Sequence, residues 1–312
     1  MRKFIISDIH GNGDIYDSIM GYLDNISESE EVHLFINGDL IDRGFDSFRV
    51  LMDVNDRING KGNVHIHYLG GNHEWMMYDA LMKKKPGRCV DPWSEWVCNG
   101  GYFVEGELDC REDGEELCDY FRDFMGKLKI YHVFDETVED KPMILVHTQA
   151  PWEVLEGKEL RIKDNNLSVL KALWMSKDGR NSSLFGIGRI PDHNRVGLEN
   201  HFTIIGHTPV AHENGFKINE KESYINIDGG CACYAVGMFT YDHIPLLEIE
   251  NGGFRILVFN HNNEIEKGFV YHGELVRMSN EELEEKRKYI NHSFDGQRES
   301  YQKIILDLRS GQ

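Results

Sequence analysis

The first 85 residues repeat one pattern three times, and this repetition constrains the fold more than any other feature of the chain. In each repeat an apolar run typical of a buried strand precedes a polar loop that contains glycine, and a helical pattern follows. The apolar runs are residues 4–6, 32–36 and 64–69. Successive strand–loop–helix units predict a parallel α/β sheet with right-handed crossovers. Such sheets bind ligands with the loops at the carboxyl ends of their strands, where all three polar loops fall.

The helical patterns begin near Asp14 and Asp46, and a third covers 75–85. Residues 86–129 are interpreted as a helical insertion on the α/β core, because they hold Trp93, Trp96, an acidic block at 105–123 and a helical pattern at 115–125. The acidic block has two interpretations: a solvated helical face, which is favoured, and a lid that binds a partner or selects a substrate. Spacing does not decide between them.

Short apolar runs return after residue 129 with few helical patterns between the later ones, which predicts a second, more antiparallel sheet. These runs are residues 130–134, 143–146, 202–205, 224–227, 237–241 and 254–259. Ser279 and Glu282 form a capping box that opens a charged helix, so 279–312 is expected to be a helical extension. The chain shows no internal repeats or low-complexity linkers, and residues 1–312 are expected to form one domain.

The formal net charge is −19, and a field of this sign repels phosphate backbones and anionic lipid. We therefore expect no stable nucleic-acid binding and no membrane association, although a bound cation could still attract a small anionic substrate. The N-terminus reaches Asp8 before a signal-peptide core can form, and no stretch approaches the roughly 20 apolar residues that cross a bilayer. A cytoplasmic protein is expected, and the oligomeric state is left open.

Five short segments place metal-binding side chains at the ends of predicted strands, where packing does not call for them. The side chains are the carboxylates, amide and imidazoles of Asp8, His10, Asp39, Asn72, His73, His147 and His207. Oxygen and imidazole donors without cysteine suit Mn²⁺, Fe or Zn²⁺ rather than a structural thiolate site. A single strand-end histidine is usually only hydrogen-bonded, but five such segments at successive strand ends indicate a metal centre.

Three of these segments carry a family resemblance. Asp8-Ile9-His10-Gly11, Gly38-Asp39-Leu40-Ile41-Asp42-Arg43-Gly44 and Gly71-Asn72-His73-Glu74 resemble, in order and spacing, the signature blocks of the phosphoprotein phosphatase family of calcineurin-like metallophosphoesterases, in a compact microbial form. His147, after an apolar strand, and His207, in Gly206-His207-Thr208-Pro209, look like the fourth and fifth blocks. The resemblance implies an α/β fold: a β-sandwich of central mixed sheets with flanking helices and a metal site at the strand carboxyl ends.

The resemblance also implies a centre with two divalent ions, with Mn²⁺ as first choice and Fe or Zn²⁺ as alternatives. Asp8 and His10 would hold the first ion, and Asp39 would bridge the two. The second ion would be held by Asn72, His147 and His207. Two ions about 3.5–4 Å apart lower the pKa of a shared water, and the resulting hydroxide would attack phosphorus in line with the leaving oxygen.

The same resemblance assigns the remaining catalytic roles. His73 would be the general acid that protonates the leaving alkoxide, and Asp42 would orient its imidazole. Arg43 offers a planar fork for phosphate oxygens, and Asn72 and His73 would also contact the phosphate. A second phosphate-binding arginine is expected between the last two blocks; Arg180, which follows Leu173-Trp174-Met175, is favoured, and Arg189 and Arg195 stay open.

The chain departs from the family pattern at two places. Thr148-Gln149 follows His147 where the family usually has Ala-Gly, and this weakens the assignment of His147 as a ligand. Pro209 stands where many broader metallophosphoesterases have a final histidine. The missing histidine favours the phosphoprotein-phosphatase branch over nucleases and cyclic-nucleotide phosphodiesterases.

Several of these side chains have simpler interpretations. Arg43 could pair with Asp42 or Asp46 at a turn, although the Asp-Arg-Gly context favours a phosphate site. Glu74 is placed to start a helix, favourably against its dipole, and is given no catalytic role. Asp228 is assigned to a turn before two glycines. His65 and His67 alternate on a strand and are interpreted as packing or surface residues.

Three functions are compared. The leading hypothesis is a metal-dependent phosphomonoesterase of the Ser/Thr protein phosphatase type, which acts on a phosphoprotein or a small phosphorylated or nucleotide substrate. The enzymatic alternative is a dinucleoside polyphosphate hydrolase, because compact microbial proteins with Gly-His-Thr-Pro also resemble such enzymes. A metal-binding scaffold with a decayed catalytic centre is the third, and it is disfavoured because every ligand and the acid are present.

Overall fold

The computed structural model describes residues 1–83, 92–174, 197–210, 214–232, 243–260, 262 and 264–289. In these residues the strands form two sheets of seven and five members. In chain order the strands are β1 (Arg2–Ile6), β2 (Val32–Asn37), β3 (Val64–Leu69), β4 (Tyr131–Val138), β5 (Lys141–Val146), β6 (Phe202–Ile205), β7 (Lys217–Asn219), β8 (Tyr224–Asn226), β9 (Ile244–Glu250), β10 (Gly253–Phe259), β11 (Ile265–Tyr271) and β12 (Leu275–Arg277).

The helices confirm the predicted alternation of strands and helices at the start of the chain. They are α1 (Gly13–Ser27), α2 (Ser47–Ile58), α3 (Asn72–Lys83), α4 (Pro92–Trp96), α5 (Tyr102–Cys110), α6 (Gly114–Lys127), α7 (Leu167–Trp174) and α8 (Asn280–Arg287), with a π-type turn at Val97–Gly101 and 3₁₀ turns at Trp152–Glu156 and Ile162–Asp164. The described part of the expected insertion consists mainly of α4, α5 and α6. Ser279 caps α8 in a capping box with Glu282, as predicted; residues 290–312 of the expected extension lie outside the described part.

The seven-stranded sheet has the order β12-β11-β10-β9-β1-β2-β3. Strands β1, β2 and β3 are parallel, with Phe4 opposite Leu34 and Leu34 opposite Ile66, which confirms the parallel sheet predicted from the three repeats. An antiparallel meander of β9 to β12 continues this sheet beyond β1. The sheet is therefore mixed.

The second sheet has the order β4-β5-β6-β8-β7 and is also mixed, because β5, β6 and β8 are parallel to one another. The prediction of a more antiparallel second sheet was wrong in this respect, and wrong in placing 254–259 there: that segment is β10 of the first sheet, paired with β9 and β11. Apolar alternation identifies a strand, but the partner of the strand is set by long-range contacts. The predicted strand at 237–241 lies outside the described residues.

The two sheets pack face to face, and alternate residues of one strand face different layers. In β1, Ile5 belongs to the cluster between the sheets, together with Phe35 and Leu145, whereas Phe4 and Ile6 belong to the cluster formed with the helices. This arrangement is the period of two expected for a strand buried on both faces, and it confirms the α/β sandwich with flanking helices. No helix in the described residues combines the length and apolar character needed to cross a bilayer.

Candidate metal centre

The candidate side chains meet at one edge of the sandwich, where the carboxyl ends of strands from both sheets come together. The loop after β1 is joined to the loop after β2 by the backbone bond from His10 N to Asp39 O (2.9 Å). In the second sheet, Gly206 N donates to His147 O (3.0 Å), which joins the ends of β5 and β6. The loops therefore hold one another in place before any side chain is considered.

Six candidate residues have a left-handed backbone, with φ between 48° and 72°. They are Asp8, His10, Asp39, Asp42, Arg43 and His207. A residue with a side chain adopts this conformation at a cost of roughly 1–2 kcal/mol, so it persists only where the surroundings impose it. The left-handed conformation is concentrated at the predicted site, which indicates that a less stable backbone is accepted there because it directs these side chains inward.

Two glycines allow the loops to approach one another closely. Gly38 has φ +78°, and a Cβ atom there would lie 2.5 Å from the Cα of Gly71 in the loop after β3. A Cβ atom on Gly206 would lie 2.1 Å from both the Oδ2 of Asp8 and the Oγ of Ser7. Any side chain at either position would push the loops apart.

The first group of donors comprises His10, Asp39 and His73, one ligand atom from each lying within 4.8 Å of the others. Asp39 Oδ2 is 3.6 Å from His10 Nε2 and 3.9 Å from His73 Nε2. His10 Nδ1 lies 3.1 Å from the carbonyl of Ile41 and donates to it, which leaves the lone pair of Nε2 facing Asp39. Burial and the nearby Arg43 lower the pKa of His10 to about 3, so this lone pair is available at neutral pH.

The second group comprises Asp39, His147 and His207, again within 4.8 Å, with Asn72 between the two imidazoles. Asn72 Oδ1 is 3.0 Å from His147 Nε2 and 2.8 Å from His207 Nδ1. His147 donates its other ring N–H to the carbonyl of Asn37 (2.9 Å), a contact that fixes the ring. Burial lowers the pKa of His207 to about 3, so its ring is neutral.

Asp39 is the one residue common to both groups, and its two oxygens face different sides. Oδ2 faces His10 and His73, and Oδ1 lies 3.4 Å from His147 Nε2. Burial opposes a charge on His147, but the carboxylate of Asp39 overcomes it and raises the pKa of His147 to about 10. The pKa of His10, which also faces Asp39, is lowered instead, because burial and the adjacent guanidinium of Arg43 outweigh the carboxylate. The space around Asp39 therefore attracts positive charge.

Asp8 reaches the site by a different route and belongs to neither group of three. Its carboxylate accepts the backbone N–H of His207 (3.1 and 3.0 Å) and the hydroxyl of Ser7. Burial and the nearby carboxylate of Asp228 raise the pKa of Asp8 well above its usual value. Asp8 thus fixes the loop that carries His207, and a cation nearby would offset the cost of burying its charged form.

His73 and Asp42 form a buried pair beside the first group. His73 Nδ1 lies 2.7 Å from Asp42 Oδ2, and the indole N–H of Trp96 donates to the same carboxylate (3.1 Å). Burial raises the pKa of Asp42 well above its usual range, and the Trp96 hydrogen bond opposes the rise. Burial lowers the pKa of His73. The pair orients the imidazole so that Nε2 faces the space beside Asp39.

Arg43 points into that space. Its Nη2 donates to His73 Nε2 (3.0 Å) and its Nη1 to His10 Nε2 (3.3 Å). These contacts do not support the pairing of Arg43 with Asp46 at a turn. Asp46 pairs with Arg49, and the guanidinium of Arg43 faces imidazole lone pairs. Arg180, Arg189 and Arg195 lie outside the described residues.

Three buried residues shape the site although the sequence alone assigned them no role in it. Glu74 accepts backbone N–H groups from both neighbouring loops in addition to starting α3. Trp96, from the insertion, reaches Asp42 across 54 positions of sequence, a distance that no local pattern reveals. Asp228 is fully buried, and burial raises its pKa to about 7. Like Asp8 and Asp39, it is a carboxylate just after an apolar strand, and this shared position could have identified it.

The departure at Thr148 has a structural role of its own. Thr148 is buried, its N–H donates to the carbonyl of Ala172 (2.9 Å), and its hydroxyl donates there as well (2.8 Å). These bonds attach the end of β5 to α7, whose last residue, Trp174, packs edge-on against His207 at 6.5 Å. The threonine therefore leaves His147 in place among the other donors.

The donor set fits divalent cations. Imidazoles, carboxylates and an amide oxygen converge from five loops without a thiolate, which suits Mn²⁺, Fe or Zn²⁺. A bound ion would displace the proton that Asp39 favours on His147. In the described residues, His10 Nε2 contacts the guanidinium of Arg43, and Asp39 Oδ1 contacts the imidazole of His147. A cluster that already collects positive charge is suited to bind metal ions.

The comparisons with known proteins agree with this description. The family model for calcineurin-like phosphoesterases matches residues 1–211. None of the curated proteins is significantly similar in sequence.

Similar solved structures include phosphatases and a metallophosphoesterase. One is a cold-active protein-tyrosine phosphatase of a psychrophilic Shewanella species (17% identity, 89% of this chain and 80% of that chain covered, TM-score 0.42). Another is a protein serine/threonine phosphatase from Saccharomyces cerevisiae (12%, 83% and 73%, TM-score 0.46). A third is a metallophosphoesterase from Sphaerobacter thermophilus (13%, 80% and 83%, TM-score 0.35).

Proposed function

The chain belongs to the calcineurin-like phosphoesterase family and is a phosphoester hydrolase, and we propose that it is a metal-dependent phosphomonoesterase of the Ser/Thr protein phosphatase type. One observation carries the proposal: a histidine held by a carboxylate stands beside the metal donors. His73 Nδ1 lies 2.7 Å from Asp42, and His73 Nε2 faces Asp39 at 3.9 Å. A metal-binding scaffold would need the donors but not this pair.

Two divalent ions, Mn²⁺ as first choice and Fe or Zn²⁺ as alternatives, would be held by six of the residues that meet at this edge. Asp8 and His10 would serve the first ion, and Asp39 would serve both. The second would be held by Asn72, His147 and His207. When bound, such ions supply Lewis acidity and a hydroxide nucleophile near neutral pH.

The phosphoryl group would be positioned by the residues that line the space beside Asp39. Arg43 enters this space with two N–H groups, and its planar fork suits two phosphate oxygens. Asn72 and His73 would complete the contacts from the N-terminus of α3. These donors are aimed by the surrounding loops before substrate binds, which is the arrangement that stabilises charge developing in a transition state.

The choice of substrate class follows from the acid. The alkoxide that leaves a phosphoserine is strongly basic and must be protonated as the P–O bond breaks. We assign this proton to Nε2 of His73 in its imidazolium form, with Asp42 fixing the ring at Nδ1. The Arg43 N–H that now donates to Nε2 would then turn to the phosphate. A phosphoanhydride leaving group is weakly basic and needs no such acid, so the pair supports a monoester over a dinucleoside polyphosphate.

The test uses the leaving-group dependence of His73→Asn in the Mn²⁺-loaded protein. We expect kcat for a phosphoserine peptide to fall by about 10²–10⁴-fold. With p-nitrophenyl phosphate, whose leaving group needs no proton, kcat should fall less than about tenfold. His201→Asn, a histidine outside both donor groups, is the matched control and should leave both rates unchanged. Equal losses on the two substrates would contradict the role of His73, and faster cleavage of diadenosine tetraphosphate than of the phosphopeptide would favour the anhydride alternative.

We also propose that residues 1–312 form one domain, with 86–129 as an insertion that supports the site, and that the protein is cytoplasmic. The support for the insertion is Trp96, which is buried in the helical core and donates to Asp42. Arg43 N also donates to the carbonyl of Gly100 (2.9 Å). Proteolytic removal of the insertion should therefore abolish turnover. If turnover persists after removal, the insertion is dispensable.

A further inference from the structure

A second cluster of metal-binding side chains lies at the opposite end of β2 and β3 from the metal centre. His33 and His65 are direct partners in the parallel register of these strands, and Glu31 immediately precedes β2. One ligand atom from each of the three lies within 4.8 Å of the other two. Asp39 lies six positions after His33 along β2 and the loop that follows it, a span of about 20 Å in extended chain. This cluster is therefore independent of the catalytic one.

The hydrogen-bond partners of His33 leave a place for a cation. His33 Nδ1 lies 2.8 Å from His67 Nε2, and His33 Nε2 lies 3.2 Å from Glu31 Oε1. A neutral imidazole carries a single N–H. In one tautomer Nε2–H donates to Glu31 and Nδ1 accepts from His67. In the other, Nδ1–H donates to His67 and the lone pair of Nε2 faces the carboxylate oxygen, which is the form that a cation between them stabilises. A metal-binding histidine has this same arrangement, with its second nitrogen donating to a neighbouring acceptor.

The rings are held in this arrangement by stacking. His33 stacks on His67 at 5.1 Å and 11°, and it lies against His65 at 4.9 Å. His67 in turn stacks on Phe35 at 4.4 Å and 12°, and Phe35 is buried between the two sheets. His33, which is held against the core through His67, therefore loses little conformational freedom when an ion binds.

We propose that Glu31, His33 and His65 form a further divalent-metal site of the zinc class, in which His67 orients His33. Two imidazoles and one carboxylate are a ligand set that Zn²⁺ accepts with water in the fourth position. Imidazole also favours Zn²⁺, Ni²⁺ and Cu²⁺ over Mg²⁺ and Ca²⁺. The ion would connect β2 to β3, the edge strand of the seven-stranded sheet. Among the described residues, the other side of β3 is bridged only at Leu69, by Lys129, so the ion would stabilise a weakly paired edge.

The test counts zinc in three full-length proteins after removal of metal and equilibrium dialysis against Zn²⁺. Wild type should bind one equivalent more than His65→Ala. The matched control is His272→Ala, which removes a half-exposed histidine that faces Glu250 at 3.8 Å; it should bind as many ions as wild type. Because the catalytic donors are intact in all three, the difference does not depend on how many ions they hold.

A second variant keeps the test decisive if His65→Ala folds poorly. Glu31→Gln retains the shape of an exposed side chain and should also lose one equivalent of zinc. With Co²⁺ in place of Zn²⁺, both variants should lose the same part of the visible absorption of the bound ion. A zinc count that is equal in wild type and both variants would overturn the proposal, and His33 would then only form hydrogen bonds to Glu31 and His67.

Discussion

Glu74 lies at the point where the loops of the metal centre meet, and replacing it by glutamine is a sensitive test of how the site is held. Its Oε2 accepts the N–H groups of Asp39 (2.8 Å) and Gly71 (2.7 Å). Its Oε1 accepts the N–H of Leu40 (3.0 Å) and the hydroxyl of Tyr68 (2.7 Å). The side chain is fully buried, so water cannot replace any of these partners. Glu74→Gln keeps the shape but changes one acceptor into a donor.

The amide can be placed in two ways, and the structure indicates which costs less. If NH₂ replaces Oε2, it faces two backbone N–H groups, neither of which can reverse. If it replaces Oε1, the Tyr68 hydroxyl can rotate and accept, and only Leu40 N–H loses its acceptor. A hydrogen bond to a charged group contributes about 1.5–3 kcal/mol, and the bonds that survive become neutral. Burial and the nearby Asp39 carboxylate raise the pKa of Glu74, which offsets part of the gain, so we expect a loss of about 2–4 kcal/mol.

The assay is urea unfolding of the metal-free protein, in which bound ions cannot contribute to stability. The matched control is Glu281→Gln, an exposed glutamate in the first turn of α8, for which we expect a change below about 0.5 kcal/mol. In the Mn²⁺-loaded protein, Glu74→Gln should also weaken metal binding, because the bond to Asp39 N–H becomes neutral and the next residue, Leu40, loses its acceptor. If Glu74→Gln is as stable as wild type, the reasoning about these four donors is refuted.

Three further predictions follow from single contacts. Trp96→Phe removes the N–H donor to Asp42 and should lower kcat for a phosphoserine peptide several-fold, by about 1 kcal/mol in the barrier; an unchanged kcat would show that the indole does not position the carboxylate. Gly38→Ala should reduce the free energy of unfolding in urea by about 1–3 kcal/mol, because φ is +78° and the added Cβ would lie 2.5 Å from the Cα of Gly71. Equal stability would mean that the loops can separate freely. Burial and two nearby lysines lower the pKa of His132 from 6.5 to about 4. As pH falls, the unfolded chain therefore binds a proton before the folded protein does. The stability contributed by the neutral ring is present above pH 6.5 and is lost as pH falls toward 4. Relative to His132→Gln, wild type should lose about 1–2 kcal/mol between pH 7.5 and pH 4.5, a figure reduced for the partial exposure of the ring; a parallel pH profile for the two proteins would contradict this.

The sequence could predict those parts of the fold that depend on local pattern. The strands β1, β2 and β3, the helices after them and the donors in the loops between them all follow from apolar runs that end in glycine and a polar side chain. Their meeting at one edge follows from the geometry of parallel strands. Asp39, common to both donor groups, stands where the second of these loops begins.

The remaining features depend on contacts between distant segments. The alternation in β10 identifies a strand, but only the packing of the meander against β1 decides which sheet it joins. Trp96 reaches Asp42 because the insertion folds back over the loop after β2, and nothing near either residue shows this. Glu74 has a local explanation as a helix start, and this explanation concealed its hydrogen bonds to Asp39 and Leu40.

The most direct test of the two-metal phosphomonoesterase is a titration of metal-free protein with Mn²⁺ at saturating phosphoserine peptide, with phosphate release as the readout. We predict no turnover without metal, a rise that reaches its plateau at two equivalents per chain, and its loss when chelator is added. Asp39→Asn, which removes the carboxylate shared by the two groups, should require far more Mn²⁺ and reach a much lower plateau. Full turnover in the metal-free protein, or a plateau at a single equivalent, would contradict the account.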